Sequence, residues 1–205
     1  DSKTFNLSAS ILEKKLISAK KKGKLPKILI PTHLAGQSCE MDKIKFLSKK
    51  YNFKIIEDAS HALGGKYKKG KVGNCKFSDI TVFSFHPIKS ITTAEGGIAL
   101  TNNKNLAEKM KMYREHGVVR NSKRHWDYKV FNLGYNFRLP DLNCALGISQ
   151  LKKLTNFVDR RREISTIYDN LFSDKNKFKI PKKIKDTVNS YHLYPIFFNL
   201  KKIKK

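Results

Sequence analysis

Over the first 60 residues, runs with helical spacing and runs with strand character alternate, joined by short turns. Residues 6–22 read as a helix with an apolar stripe of Ile11, Leu12 and Leu16; Asn6 or Ser8 can cap it, and Gly23 and Pro26 end it. Lys27–Pro31 is a short buried strand, and the turn after it holds His33, Gly36 and Gln37. Met41 to Tyr51 is a second helix with Ile44, Phe46 and Leu47 facing inward, and Lys54–Glu57 is a strand running into Asp58. Alternation of this kind requires right-handed crossovers and predicts an α/β fold with a largely parallel, buried sheet. Ligands bind such sheets beyond the carboxyl ends of the strands, where Asp58, His61 and His33 all fall.

The rest of the chain continues in mixed fashion. Gly64 to Gly73 reads as a glycine-rich loop, and Asp79–Phe85 as a strand carrying Ile80, Val82, Phe83 and Phe85. Residues 96–101 form a further strand, 106–116 a helix, and 117–133 an irregular basic stretch with Trp126. Two helices are expected at 140–154 and 156–171, the first opened by Pro140, and Tyr191–Phe198 reads as a strand beginning another layer. The pattern divides into a large domain over residues 1–155 and the start of a smaller one over 156–205. The opening Asp1-Ser2-Lys3 and the closing lysine run suggest a fragment of something longer.

Lys and Arg number 43 against 17 Asp and Glu, a formal charge of +26. That excess invites an acidic partner such as nucleic acid, anionic lipid or a phosphorylated substrate. The lysines are spread throughout rather than gathered in one stripe, which fits solvated faces, and the basic clusters lack the interleaved aromatics of nucleic-acid readers. A basic nucleic-acid-binding module is therefore the remote alternative. No apolar run approaches the length of a membrane span, no signal peptide is evident, and Cys39, Cys75 and Cys144 lack the spacing of a disulfide framework or a zinc site. A reducing cytoplasm, with no nucleic acid, membrane or metal, is the expectation.

Lys89 is set apart from the other lysines. It follows a buried strand, between Pro87 and the Ala94-Glu95-Gly96-Gly97 turn, where partial desolvation would make its amine a Schiff-base nucleophile. Local context alone leaves it equally readable as a surface lysine on a loop. Asp58 closes a buried strand and suits a protonated heterocyclic nitrogen, or else a cap or structural hydrogen bond. His61 could bond a cofactor hydroxyl or be structural. Ser84 and its small neighbours could donate to a phosphate, and Gly134-Tyr135-Asn136-Phe137-Arg138, just before a helix, offers an amide and a guanidinium for the same purpose or a plain turn and cap.

Five ordered stretches together resemble the DegT/DnrJ/EryC/StrS family of sugar aminotransferases: Pro31-Thr32-His33-Leu34-Ala35-Gly36-Gln37, Glu57-Asp58-Ala59-Ser60-His61-Ala62, Ser84-Phe85-His86-Pro87-Ile88-Lys89 with Glu95-Gly96-Gly97, Arg114-Glu115-His116-Gly117, and Gly134-Tyr135-Asn136-Phe137-Arg138 followed by Ala145-Leu146-Gly147-Ile148-Ser149-Gln150-Leu151. The resemblance implies the fold of pyridoxal-phosphate-dependent transferases of fold type I, like aspartate aminotransferase. It also implies pyridoxal 5'-phosphate as cofactor, with Lys89 as the residue that bonds it and shuttles the proton. Asp58 would pair with the ring nitrogen, His61 sit by the ring hydroxyl and Ser84 bind the phosphate. Asn136 would reach the phosphate in the neighbouring subunit of a homodimer, and His33 and Arg138 would lie near substrate.

The wording of Ser60–Gly65, Lys71–Cys75 and Phe85–Thr93 is most similar to the branch that builds pseudaminic acid, in which glutamate gives its amino group to C4 of a UDP-linked 4-keto-6-deoxy sugar. A perosamine or 4-amino-arabinose type of aminotransferase is the alternative. The family's first quarter, with its own phosphate-binding segment and ring-stacking aromatic, has no counterpart here, and much of its small domain is missing after Lys205. The 205 residues alone are therefore expected to be weakly active or inactive.

Overall fold

The computed structural model describes residues 1–121, 123–124, 126–174 and 176–200. Helix α1 (Ala9–Lys21) begins where the Ser8 hydroxyl accepts the N–H of Ile11 at 3.3 Å, and it ends with Lys20 and Lys21 opposing the helix dipole. Strand β1 (Ile28–Leu29) is shorter than the five residues expected. Helix α2 (Met41–Tyr51) ends on Asn52 in the left-handed conformation, φ 54°. Strand β2 (Lys54–Asp58) follows, then a small hairpin, β3 (Lys66–Tyr67) and β4 (Gly70–Lys71), where a loop was expected. Strands β5 (Ile80–Ser84) and β6 (Gly97–Leu100) lead to helix α3 (Lys104–Arg114) and a second hairpin, β7 (Val118–Arg120) and β8 (Tyr128–Val130).

Helix α4 is one unbroken element, Asp141–Leu171, in place of the two helices expected. The anticipated domain boundary at 155/156 lies inside it. Neither Gly nor Pro interrupts the helix near that point, and Val158 is buried against Gly64, whose φ of +83° puts a hypothetical Cβ 2.8 Å from Val158 Cγ2. The chain ends in short pieces, β9 (Phe178–Lys179), β10 (Thr187–Val188) and β11 (Phe197–Phe198). Most of the expected strand at 191–198 is therefore irregular.

The central sheet has the order β1-β2-β5-β6, parallel between β1, β2 and β5 and antiparallel at β6. The α/β expectation holds, with an antiparallel edge. β10 joins the β3–β4 hairpin, so the C-terminal segment folds back over the loop that follows β2.

The main core lies between α1, α2 and β2, where Leu12, Leu16, Met41, Ile44, Leu47, Phe53 and Ile55 are buried together. Each such side chain contributes about 1.5–3 kcal/mol. Ile11 and Phe46, expected to face inward, are instead exposed on α1 and α2. A smaller cluster of Ala59, Ala62 and Phe83 lies at the carboxyl ends of β2 and β5. Among the described residues no helix is long and apolar enough to cross a membrane.

Candidate active site

The carboxyl ends of β2 and β5 lie side by side because Asp58 pairs with Val82 in parallel register. Asp58 is pinned from both sides by backbone bonds: its N–H donates to Pro31 O at 3.0 Å and its carbonyl accepts from His33 N–H at 3.0 Å. Its carboxylate, half-buried, accepts the Ser60 N–H at 3.1 Å and the Thr32 hydroxyl at 3.4 Å. Burial alone would raise the Asp58 pKa, but the Ser60 bonds, the nearby His61 and Thr32 outweigh it and hold the carboxyl below its ordinary value. Asp58 is therefore a stable anion at the end of a buried strand.

Lys89 stands on the loop between β5 and β6. That loop is tied down closely: Thr93 N–H and the Thr92 hydroxyl both donate to Phe85 O, at 3.0 and 2.9 Å, and Lys89 N–H donates to His86 O at 2.9 Å. Ser90, Ile91 and Thr93 are buried, and Asn143 of α4 donates to Thr93 O at 2.6 Å. The sequence thus places a half-buried lysine between anchored residues rather than on a free loop. Ser84, the last residue of β5, accepts the His86 N–H at 3.4 Å, which leaves its hydroxyl proton to be donated elsewhere.

His61 lies between Asp58 and Lys89 in electrostatic terms. Burial and the Lys89 cation lower its pKa while Asp58 opposes them, so the ring is neutral at pH 7. Its Nδ1 accepts the Ala35 N–H at 3.3 Å, which leaves the ring proton on Nε2. Lys89, Asp58 and His61 are thereby brought into one neighbourhood, with Ser84 adjoining at the end of β5.

Three other candidates fall elsewhere. His33, expected near substrate, is fully buried: Nε2 meets Glu57 Oε2 at 2.8 Å and Nδ1 accepts the Cys39 N–H at 3.2 Å. Glu57 also accepts from the Ser78 and Thr81 hydroxyls, and these donors together with His33 overcome burial and keep its carboxyl below the ordinary value. With both nitrogens engaged inside the protein, His33 is a structural partner of the β2 interior and has no nitrogen left for a substrate. Asn136 and Arg138 lie on the exposed segment that bridges Glu115 and bonds back to Tyr113, Arg114 and His116. A further imidazole, His192, packs on His61 with ring centroids 4.4 Å apart; sequence reasoning passed over it, its only signal being a histidine in a largely apolar run.

The profile of the DegT/DnrJ/EryC1/StrS aminotransferase family matches residues 1–205, the whole chain. The protein belongs to this aminotransferase family. A UDP-4-amino-4,6-dideoxy-N-acetyl-beta-L-altrosamine transaminase of Campylobacter jejuni is 53% identical over 162 residues, covering 78% of this chain and 42% of the relative. Among solved aminotransferases of the family, Helicobacter pylori PseC, involved in the biosynthesis of pseudaminic acid, superposes with a TM-score of 0.86 at 38% identity, over 96% of this chain and 50% of its own. A putative sugar aminotransferase of Streptococcus pneumoniae in its PMP form superposes with a TM-score of 0.83 at 26% identity, over 98% and 55%. The chain thus spans about half the length of the family members it matches. These similarities confirm the fold-type I aminotransferase architecture expected from the sequence motifs.

Proposed function

We propose that the protein of which these residues are part is a pyridoxal-phosphate-dependent sugar aminotransferase. In this reaction glutamate gives its amino group to C4 of a UDP-linked 4-keto-6-deoxy sugar, a step toward pseudaminic acid. The observation that carries this is the convergence of an anionic Asp58, a half-buried Lys89 and a neutral His61 at adjoining strand ends, within a chain half identical to a named transaminase of that pathway.

The donor set fits the cofactor. A carboxylate held ionised by hydrogen bonds suits a protonated ring nitrogen, an amine on an anchored loop suits its reactive carbon, and a serine hydroxyl with its proton unspent suits a phosphate oxygen. Pyridoxal phosphate, when bound, supplies the electron sink for charge developing at the substrate carbon. Asp58 would hold the ring nitrogen in its protonated form by opposing loss of that proton. Lys89 Nζ would be the amine available to the cofactor and the group able to hold a proton near the substrate carbon. His61 would donate from Nε2 to the ring hydroxyl, and Ser84 Oγ would donate to the phosphate.

A homodimer is part of the same proposal, supported by an outward-facing apolar stretch beside the Lys89 loop. Phe131, Leu133, Tyr135, Phe137, Leu142 and Ile148 are all exposed. Apolar exposure on this scale supports a protein contact, here a second copy whose site would receive Asn136. Arg138, two residues along, is the remaining substrate candidate. We place the protein in the cytoplasm, where nucleotide-linked sugars are made. The deciding test is product analysis with the full-length protein, glutamate and a panel of UDP-, GDP- and dTDP-linked 4-keto sugars. Amination of the UDP-linked 4-keto-6-deoxy sugar at C4 is expected; turnover confined to the GDP-linked sugar would assign a perosamine-type activity instead.

A further inference from the structure

Residues 189–193 run as a strap through the gap between the turn at Leu34–Gly36 and the loop after β2. Ser190, fully buried, donates from its backbone to Gly36 O at 3.2 Å and from its hydroxyl to His61 O at 2.9 Å, while Leu193 N–H donates to Ala35 O at 3.4 Å. From the other side α4 clamps the same segment. Arg161 Nη1 donates to Tyr191 O and His192 O, each at 3.3 Å, and Arg162 Nε donates to Asn189 O at 2.9 Å while its Nη2 reaches Gly64 O at 3.2 Å. Only glycine fits at position 36, whose φ is +102°: a Cβ there would lie 2.5 Å from Ser190 Oγ and 2.8 Å from both Asn189 Oδ1 and Tyr191 N.

This strap lays the His192 ring against His61, at a tilt of 44°. His192 is only 7% exposed, and its Nδ1 is buried without a hydrogen-bond partner. A bare imidazole nitrogen in a setting this well tied needs a reason. Three cations face the ring: His61 when protonated, Lys89 and Arg161. Burial first, and then these three, push the His192 pKa down to about 4, so the ring carries no charge at neutral pH.

We infer that His192 is a positioning residue for His61, fixing that ring through face contact as the Nε2–H donor on the Lys89 side of the site. His61 is then held on two sides, by the Ala35 N–H on its edge and by His192 on its face, while Ser190 holds its backbone carbonyl. The groups acting on its charge are Lys89 on the loop after β5 and Asp58 at the end of β2; His192 on the strap packs on its face, with Arg161 of α4 bonded to the strap behind. The inference rests on the aminotransferase function only for the identity of the group to which His61 donates.

The test is imidazole nitrogen–proton NMR across pH on the full-length protein freed of ligand. Wild type is expected to give one His61 tautomer, protonated at Nε2, with a midpoint below 6.5. In His192→Leu the Nδ1–H tautomer should appear, and His192→Phe, which restores an aromatic face, should recover the single tautomer. An unchanged single His61 tautomer in His192→Leu would overturn the inference. Should that variant fail to fold, Ser190→Ala loosens the strap from the His61 carbonyl and is expected to move the same signals in the same direction; no movement there overturns it equally. Adding pyridoxal phosphate to the wild type separates the two ideas, since failure to bind it would sink the cofactor assignment and leave the His61 spectra untouched.

Discussion

The strand ends around Lys89 and the stretch from Val118 to Leu151 are both rich in apolar side chains but place them differently. Around Lys89, Ala59, Ala62, Phe83 and Ile91 are buried, and the Asp58 carboxylate and the Phe85 carbonyl accept bonds from within the chain. In the stretch from Val118 to Leu151 the described backbone is also paired, through β7 with β8 and Glu115 with Asn136, yet Phe131, Leu133, Phe137 and Leu142 are at least 60% exposed. The first region is complete as a wall. The second is an ordered surface with apolar side chains turned outward, which is how an interface looks before its partner arrives.

The largest effect should come from removing the chemistry while leaving the wall intact. Lys89→Ala in the full-length protein is expected to lower transamination by at least about 10³-fold, within the range for losing a proton-transfer group and more where the amine itself is lost. Among the described residues Lys89 makes only a backbone hydrogen bond, to His86 O, so the melting temperature should stay close to wild type. Borohydride reduction of the wild type with cofactor should attach the pyridoxyl mass to this lysine. Attachment at another lysine would refute its assignment.

Next in size is the outward face. Phe137→Asp combined with Leu142→Asp places two carboxylates where two exposed apolar side chains stand. Sedimentation should show the proposed dimer weakened by about 30-fold or more, corresponding to about 2 kcal/mol for an interface anchor. Because neither side chain is buried within the chain, secondary structure should be unchanged. A double variant that stays dimeric at wild-type concentrations would remove this face from the interface and with it the placing of Asn136 in the partner's site.

The same contrast explains what the sequence could disclose. Met41–Tyr51 and Lys54–Asp58 were legible to the residue, since periodicity, the turn at Asn52 and β-branched content agree there. The ordered motifs around Asp58, Lys89 and Gly134 were enough to name the family. Long-range fits left fainter marks. α4 reads as two helices because Thr155-Asn156 is a weak helical pair, and the unbroken span goes with long-range contacts, Val158 packed on Gly64 and Arg162 bonded to Gly64 O. The strap at 189–193 has the aromatic content of a strand and is held out of one by Gly36, Arg161 and Arg162, all more than 25 residues away. His33 was drawn to the site by its place after a strand and proved to point inward, because Glu57 on the buried face of β2 takes its Nε2.

The smallest effect separates the two regions by local stability. α1 and α3 are both capped by a side chain, Ser8 accepting from Ile11 and Asn103 accepting from Leu106 at 3.1 Å. α1 buries Ala9, Leu12 and Leu16, whereas α3 has no buried residue. Removing either cap costs about 1 kcal/mol. In α1 that loss is shared with the core and should appear as a small drop in the global melting temperature of Ser8→Ala. In α3 no residue is fully buried, so Asn103→Ala should speed amide hydrogen exchange within residues 104–114 while the global transition barely moves. Equal shifts of the global transition in the two variants would mean that α3 is coupled to the core despite its exposure, and the division between a finished wall and a face awaiting its partner would then not extend to this helix.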